Sequence, residues 1–196
     1  MPIVNIDAFW TLIERSGQKH ADEFGRTRWL QTTLAQLRAP AIVDFAILLD
    51  QTRRQADQWV MWGAANLIMG GTCSGDAFFY FQPWLIGLGR ETFERVVAEP
   101  DLLSELPHVR RLASVPRRDW NRDESPQWES LNYVPHYAYQ RLLGPDAEIE
   151  QALNSRGYRT RSDPRPTGRD SAYHDPAETA RRLPRLAGLL HESAED

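Results

Sequence analysis

Residues 59–95, WVMWGAANLIMGGTCSGDAFFYFQPWLIGLGRETFER, decide the fold class. Eight aromatics (Trp59, Trp62, Phe78, Phe79, Tyr80, Phe81, Trp84, Phe93) flank a glycine-rich turn, and charges are few before Arg90. That much aromatic surface is costly in water, so the block is expected to be buried in a core or against a partner. No reaction centre is recognisable within it. Trp62, Asn66 and Met69 share one helical stripe that Gly70 and Gly71 end. Ser74 can cap the next helix, with Asp76 well placed in its first turn. From Phe78 to Leu88 nearly every position is apolar, as in a helix enclosed on all sides. Pro83 is expected to kink or restart that helix. A short helix then runs from Arg90 to Ala98.

Working outward toward the N-terminus, the texture stays helical. Asn5 or Asp7 can cap a helix in which Ile6, Phe9, Trp10 and Ile13 recur at helical spacing, with Gly17 as its stop. A second helix is expected from Ala21 to Arg38, carrying Leu30, Leu34 and Leu37. Pro40 sits in the first turn of a third. There Ile42, Phe45, Leu49, Thr52, Ala56 and Trp59 form an apolar face, and Arg53, Arg54 and Asp57 lie off it. No strand-like alternation occurs in this half. Beyond Pro100 frequent prolines cut the chain into short turns and brief helices, the best candidates being residues 131–143 and 145–154.

These features predict an all-α protein: a compact multi-helix bundle with a Pro/Arg-rich, loop-rich C-terminal part and a final docking helix. The expected division is a core domain over 1–106, an extension over 107–155, an Arg/Pro-rich linker over 156–176 and a last helix over 177–196. That helix carries Leu183, Leu186, Leu189 and Leu190.

Composition bounds the function. A chain of 196 residues can bury a real core without metal or disulfide support. Cys73 is the single cysteine, which excludes an intrachain disulfide and suits a reducing compartment. No apolar run approaches the ~20 residues of a membrane span, and the start carries no basic, apolar leader. A cytoplasmic protein is expected. Of 23 basic residues only Lys19 is lysine, a bias that a GC-rich bacterial genome explains.

Three pieces of the sequence are similar to one uncharacterised bacterial family, a domain-of-unknown-function group (number 4240) common in actinobacteria. They are Phe9-Trp10, Trp62-Gly63-Ala64-Ala65 with Gly70-Gly71, and the run from Phe78 to Arg90. The resemblance covers residues 6–106, and Arg182-Leu183-Pro184-Arg185-Leu186 resembles the end of some members. It implies no catalytic residues. Similar sequences place several acids in the turn after the paired glycines, whereas here Gly75 and Phe79 take two of those places and Asp76 stands alone.

Several groups are candidates for chemistry. The Gly70–Asp76 turn could cradle an anion at a helix start, but it lacks the Gly-Lys-Ser/Thr ending of a phosphate loop and Asp76 would repel phosphate. Capping and close packing explain it better. Cys73 reads as a small buried thiol before it reads as a nucleophile. Asn66, polar on an apolar stripe, needs partners from the turn or from a ligand. Between Trp128 and Arg141, Tyr133 and Tyr137 share a helix face near His136. Trp62, Asn66, Asp76, Tyr133 and His136 together form the candidate ligand pocket.

Two arginine clusters, Arg110, Arg111, Arg117, Arg118 and Arg122, then Arg156, Arg159, Arg161, Arg165 and Arg169, offer contact surface. The first four are the candidate interaction surface. The net charge of −4 argues against strong non-specific nucleic-acid binding, and no His/Asp/Glu spacing suggests a metal. The expected function is a non-catalytic binding or regulatory module with no cofactor, whose partner is a protein (a second copy included) or a small molecule. A small enzyme of specialised metabolism acting on an organic or peptide substrate, and a nucleic-acid accessory protein, stay open as alternatives.

Overall fold

In the computed structural model, residues 4–120, 124–168 and 175–192 are described. Helices follow one another along the chain: α1 Ile6–Lys19, α2 Glu23–Leu34, α3 Ala39–Gln55, α4 Trp59–Ile68, α5 Gly75–Gly87 and α6 Arg90–Ala98. After the 3-10 turn Pro100–Glu105 come α7 Pro107–Ala113, α8 Val134–Leu143, α9 Ile149–Ser155, α10 Pro176–Arg182 and α11 Pro184–Glu192. Among the described residues the one extended pairing is an isolated parallel bridge, Gln58 to Thr167. The protein is all-α.

Local chemistry sets the helix ends. Asn5 Oδ1 accepts Ala8 N–H at 2.9 Å and Asp22 Oδ1 accepts Gly25 N–H at 2.7 Å, satisfying donors that a helix start leaves open. Ser74 Oγ does the same for Ala77 N–H at 3.2 Å. Gly17 does not stop α1, which runs on to Lys19. Pro83 does not restart α5 but lies inside it. The segment 129–143 is a 3-10 turn, Glu129–Tyr133, followed by α8, because Pro135 falls in the first turn and favours a helix start there.

The chain divides into two compact units, each drawn from three separated stretches. The first holds Met1–Arg54, Pro83–Arg90 and Trp128–Ser162. Its core joins Phe9, Ile13, Leu30, Leu34, Phe45, Leu85, Trp128 and Leu131, all essentially inaccessible. Burial of each such side chain contributes about 1.5–3 kcal/mol. Phe9 meets Phe45 at 5.1 Å between ring centres. Trp128 donates its indole N–H to Thr27 Oγ1 at 2.9 Å, and the Arg26 guanidinium lies 4.3 Å above its ring. Gly87 makes room for that ring: a Cβ there would come within 2.7 Å of Trp128.

The second unit holds Gln55–Gln82, Glu91–Gln127 and Asp163–Asp196. Met61, Ala64, Phe78, Phe81, Phe93, Leu103, Val109 and Leu186 form its core. Trp59, Trp62 and Phe78 stack nearly parallel, 5.3 and 4.8 Å between ring centres. The last helix docks through its backbone. Asp101 accepts Arg185 N–H at 3.2 Å and Leu186 N–H at 2.9 Å, so a carboxylate far away in sequence caps α11.

The apolar face read on α3 is buried as expected, Ala56 included, but it is not carried by one continuous helix. The helix breaks before Trp59, and two residues assigned off the face, Arg53 and Asp57, are 4% and 3% exposed. Asp50, also buried, binds Arg53 Nη2 at 2.7 Å and the Tyr158 hydroxyl at 2.8 Å, and accepts Arg161 N–H at 3.2 Å. In the second unit Asp57 accepts Gln82 Nε2 at 3.2 Å and Arg165 N–H at 2.8 Å. Periodicity could not show this, because Tyr158, Arg161 and Arg165 come from over a hundred residues away.

Two stability outcomes follow. Gly87→Ala forces a methyl into Trp128, and about 1–3 kcal/mol of destabilisation is expected as a lowered thermal midpoint. Asp57→Ala removes the acceptor of the Gln82 amide and of the Arg165 backbone N–H. It should cost about 2–4 kcal/mol in urea unfolding, with Asp57→Asn retaining part of the loss.

Candidate functional site

Within the second unit, the glycine turn is built by α4 and α5. Gly70 and Gly71 take φ of 61° and 82°, conformations that side-chain-bearing residues rarely adopt. Asn66 and Trp62, the two polar groups on the aromatic stripe, converge on one residue. Asn66 Oδ1 accepts Cys73 N–H at 3.0 Å, and Trp62 Nε1 donates to Cys73 O at 3.1 Å. Asn66 therefore bridges α4 and the turn. Arg117 donates to Met69 O and to Thr72 Oγ1, neutralising the carbonyl end of α4. Asp76 is exposed in the first turn of α5.

Cys73 is 2% exposed, and burial pushes its thiol up to about 12. Thiolate is the nucleophilic form, so this side chain is inert near neutral pH. The folded thiol holds its proton more tightly than the unfolded one. Its contribution to stability is thus complete below 9.0 and is lost as pH rises toward 12. Folded protein at pH 7.5 is expected to resist a thiol-alkylating reagent, and protein unfolded in guanidinium to react fully; equal rates in the two states would refute the inert assignment.

Tyr133 and His136 belong to the first unit, so the five candidate pocket residues are divided between the units. His136 Nδ1 lies 3.9 Å from Glu150 Oε1, and its ring meets Tyr137 edge-on at 5.4 Å. A shallow cleft of about 290 Å³ beside them is lined by Glu150, Leu153, Asn154, Tyr158, Arg159 and Thr160. Burial and the hydrogen bond to Asp50 push the Tyr158 phenol up to about 12, so it stays a donor.

Val134, Pro135 and Ala138 turn the inner side of α8 into the core. The helical period then places Tyr133, His136, Tyr137, Gln140 and Leu143 on the opposite side. Tyr133, Tyr137 and Leu143 are 45%, 52% and 54% exposed. α2, which packs along α8, leaves Phe24 three-quarters exposed. The shared face of Tyr133 and Tyr137 was legible from their spacing. Gln140 and Leu143 were not, because only the structure tells which side of an amphipathic helix is core.

The arginines are largely occupied. In the second unit Arg110 Nε donates to Ser104 O at 2.9 Å and Arg111 Nε to Glu124 Oε1 at 2.9 Å, while Arg118 Nε stands 3.9 Å from Asp119. In the first, Arg156 Nη1 binds Asp44 at 2.6 Å. In the second, Arg165 Nε binds Asp163 at 3.2 Å. Arg122 and Arg169 lie outside the described residues. Among the described residues no three His, Cys, Asp or Glu side chains are grouped to hold a metal ion, and no helix is long and apolar enough to cross a membrane.

An all-helical chain with a buried thiol and an aromatic outer helix face is the class that these observations define. The chain belongs to the family described as protein of unknown function (DUF4240), whose profile matches residues 5–141. No curated protein and no solved structure matches it.

Proposed function

We propose that this chain is a non-catalytic binding module that works through the outer face of α8. The observation that carries this reading is a helix with apolar side chains on both of its sides. The inner set packs in the first unit; the outer set, Tyr133, Tyr137 and Leu143, remains in water. Scattered exposed hydrophobics are ordinary, but a row of them along one helix face marks a surface meant to be covered. Tyrosine suits such a surface because it supplies rigid apolar area with a polar tip. Protein neighbours fit a helix face of this kind better than small molecules do, since it is a ridge and not a pocket.

The arginine bonds within each unit weigh against a nucleic-acid reading, because donors committed to protein carbonyls and carboxylates are not offered to phosphates. The burial of Cys73 weighs against it as a centre for the enzymatic alternative. A bacterial, cytoplasmic setting accords with the single free cysteine and the arginine-biased composition.

Affinity capture with the full chain as bait tests the reading. The Tyr137→Ser/Leu143→Ser variant changes only exposed positions, so its stability should stay within about 0.5 kcal/mol of the wild type. Retention of a specific protein should fall about tenfold or more. Identical sets of proteins retained by both baits would reject α8 as the binding surface.

A further inference from the structure

We infer that the cleft between α9 and residues 158–160 is a binding site for a small zwitterion, a molecule of dipeptide size with an amine at one end and a carboxylate at the other. The cleft lies wholly within the first unit, and none of its lining residues is on α8.

The end of α9 builds the cleft. Gly157, at φ 70°, reverses the chain; its N–H donates to Asn154 O at 2.9 Å and Tyr158 N–H donates to Leu153 O at 3.0 Å. That pair of bonds closes a helix C-terminus and brings the next residue back onto the last turns. Residues 158–160 then run beside Glu150, Leu153 and Asn154, which share one face of α9 at i, i+3 and i+4. The returning stretch is fixed from behind. The Tyr158 hydroxyl donates to Asp50 at 2.8 Å, the Arg54 guanidinium stands 5.5 Å over the Tyr158 ring, and Arg54 Nη2 donates to Arg159 O at 2.9 Å. A wall held in this way costs little further ordering when a ligand arrives.

The lining carries both signs of charge. Leu153, buried, and the half-buried Tyr158 ring supply its apolar surface. Exposed around them are the Glu150 carboxylate, the Arg159 guanidinium, the Asn154 amide and the Thr160 hydroxyl. Arg53, Arg54 and Arg156 are bonded to Asp50 or Asp44. Arg159 differs: among the described residues its guanidinium has no hydrogen-bond or ion-pair partner. Glu150 has His136 Nδ1 at 3.9 Å, beyond hydrogen-bond reach, so its oxygens are open to a donor. An anion alone would be repelled by Glu150, and a cation alone by Arg159. A molecule with both charges satisfies both groups. At ~30 Å³ for each water-sized group, the 290 Å³ of the cleft holds about ten non-hydrogen atoms, the size of alanyl-alanine.

Titration of the isotope-labelled full chain with L-alanyl-L-alanine, followed amide by amide in NMR spectra, tests this. Saturating shifts centred on residues 149–160 are expected, with a Kd of about 1 mM or below. Blocking the amine as N-acetyl-alanyl-alanine, or the carboxylate as alanyl-alanine amide, should each weaken binding about tenfold. Arg159→Ala should abolish the preference for the free carboxylate over the amide. Glu150→Gln should abolish the preference for the free amine over the acetylated form. Both positions are exposed, so both variants should keep the wild-type thermal midpoint. Absence of a saturating shift up to about 20 mM overturns the inference. So do equal affinities for the free and blocked dipeptides, or preferences that both variants retain.

Discussion

A few buried aspartates carry much of this architecture. Asp50 and Asp57 each give an oxygen to a backbone N–H from the segment around Arg161 and Arg165, and Asp101 gives both of its oxygens to the first turn of α11. Asp44 accepts Val4 N–H and an Arg156 guanidinium. A carboxylate removed from water is tolerated only when its lone pairs are filled, and backbone donors need no side-chain entropy to be held in place. Asp50 and Asp57 thus fix the path of a stretch that has little apolar surface of its own. Residues 156–176 read as a linker because the hydrophobic pattern is absent; over residues 158–168 hydrogen bonds replace it.

The aromatic block follows the opposite logic. Its helices were legible because apolar residues at helical spacing bury themselves wherever their neighbours come from. Stacking of Trp59, Trp62 and Phe78 settles how the rings meet, but their being core was already written in the spacing. The turn between α4 and α5 was legible in kind as well: paired glycines, a capping serine, and an asparagine whose amide had to find a partner. Arg53 and Asp57 mark the limit of this approach. Periodicity assigns them to solvent, and it cannot see the hydrogen-bond partners that reverse the assignment.

The candidate site divides in the same way. Asn66 and Trp62 came together on Cys73 because they lie one helical turn apart beside the turn that holds it. Tyr133 and His136 belong with a different set of neighbours, and no local pattern could have joined or separated them from the glycine turn. α8 is the element in which the two kinds of evidence meet. Its sequence shows apolar residues on more of its circumference than one core needs, and the fold shows which of them the core leaves out.

The interleaving of the two units has a consequence for how the protein is made. Each unit takes one of its three stretches from beyond residue 127, so neither can be completed while the ribosome is still synthesising the middle of the chain. The family profile ends at residue 141, before the donors at Arg161, Arg165, Arg185 and Leu186. A nascent chain of that length holds α1 to α7 but not the amides that quiet Asp50, Asp57 and Asp101. Its charges stay hydrated and its cores open until the stretches beyond residue 141 emerge.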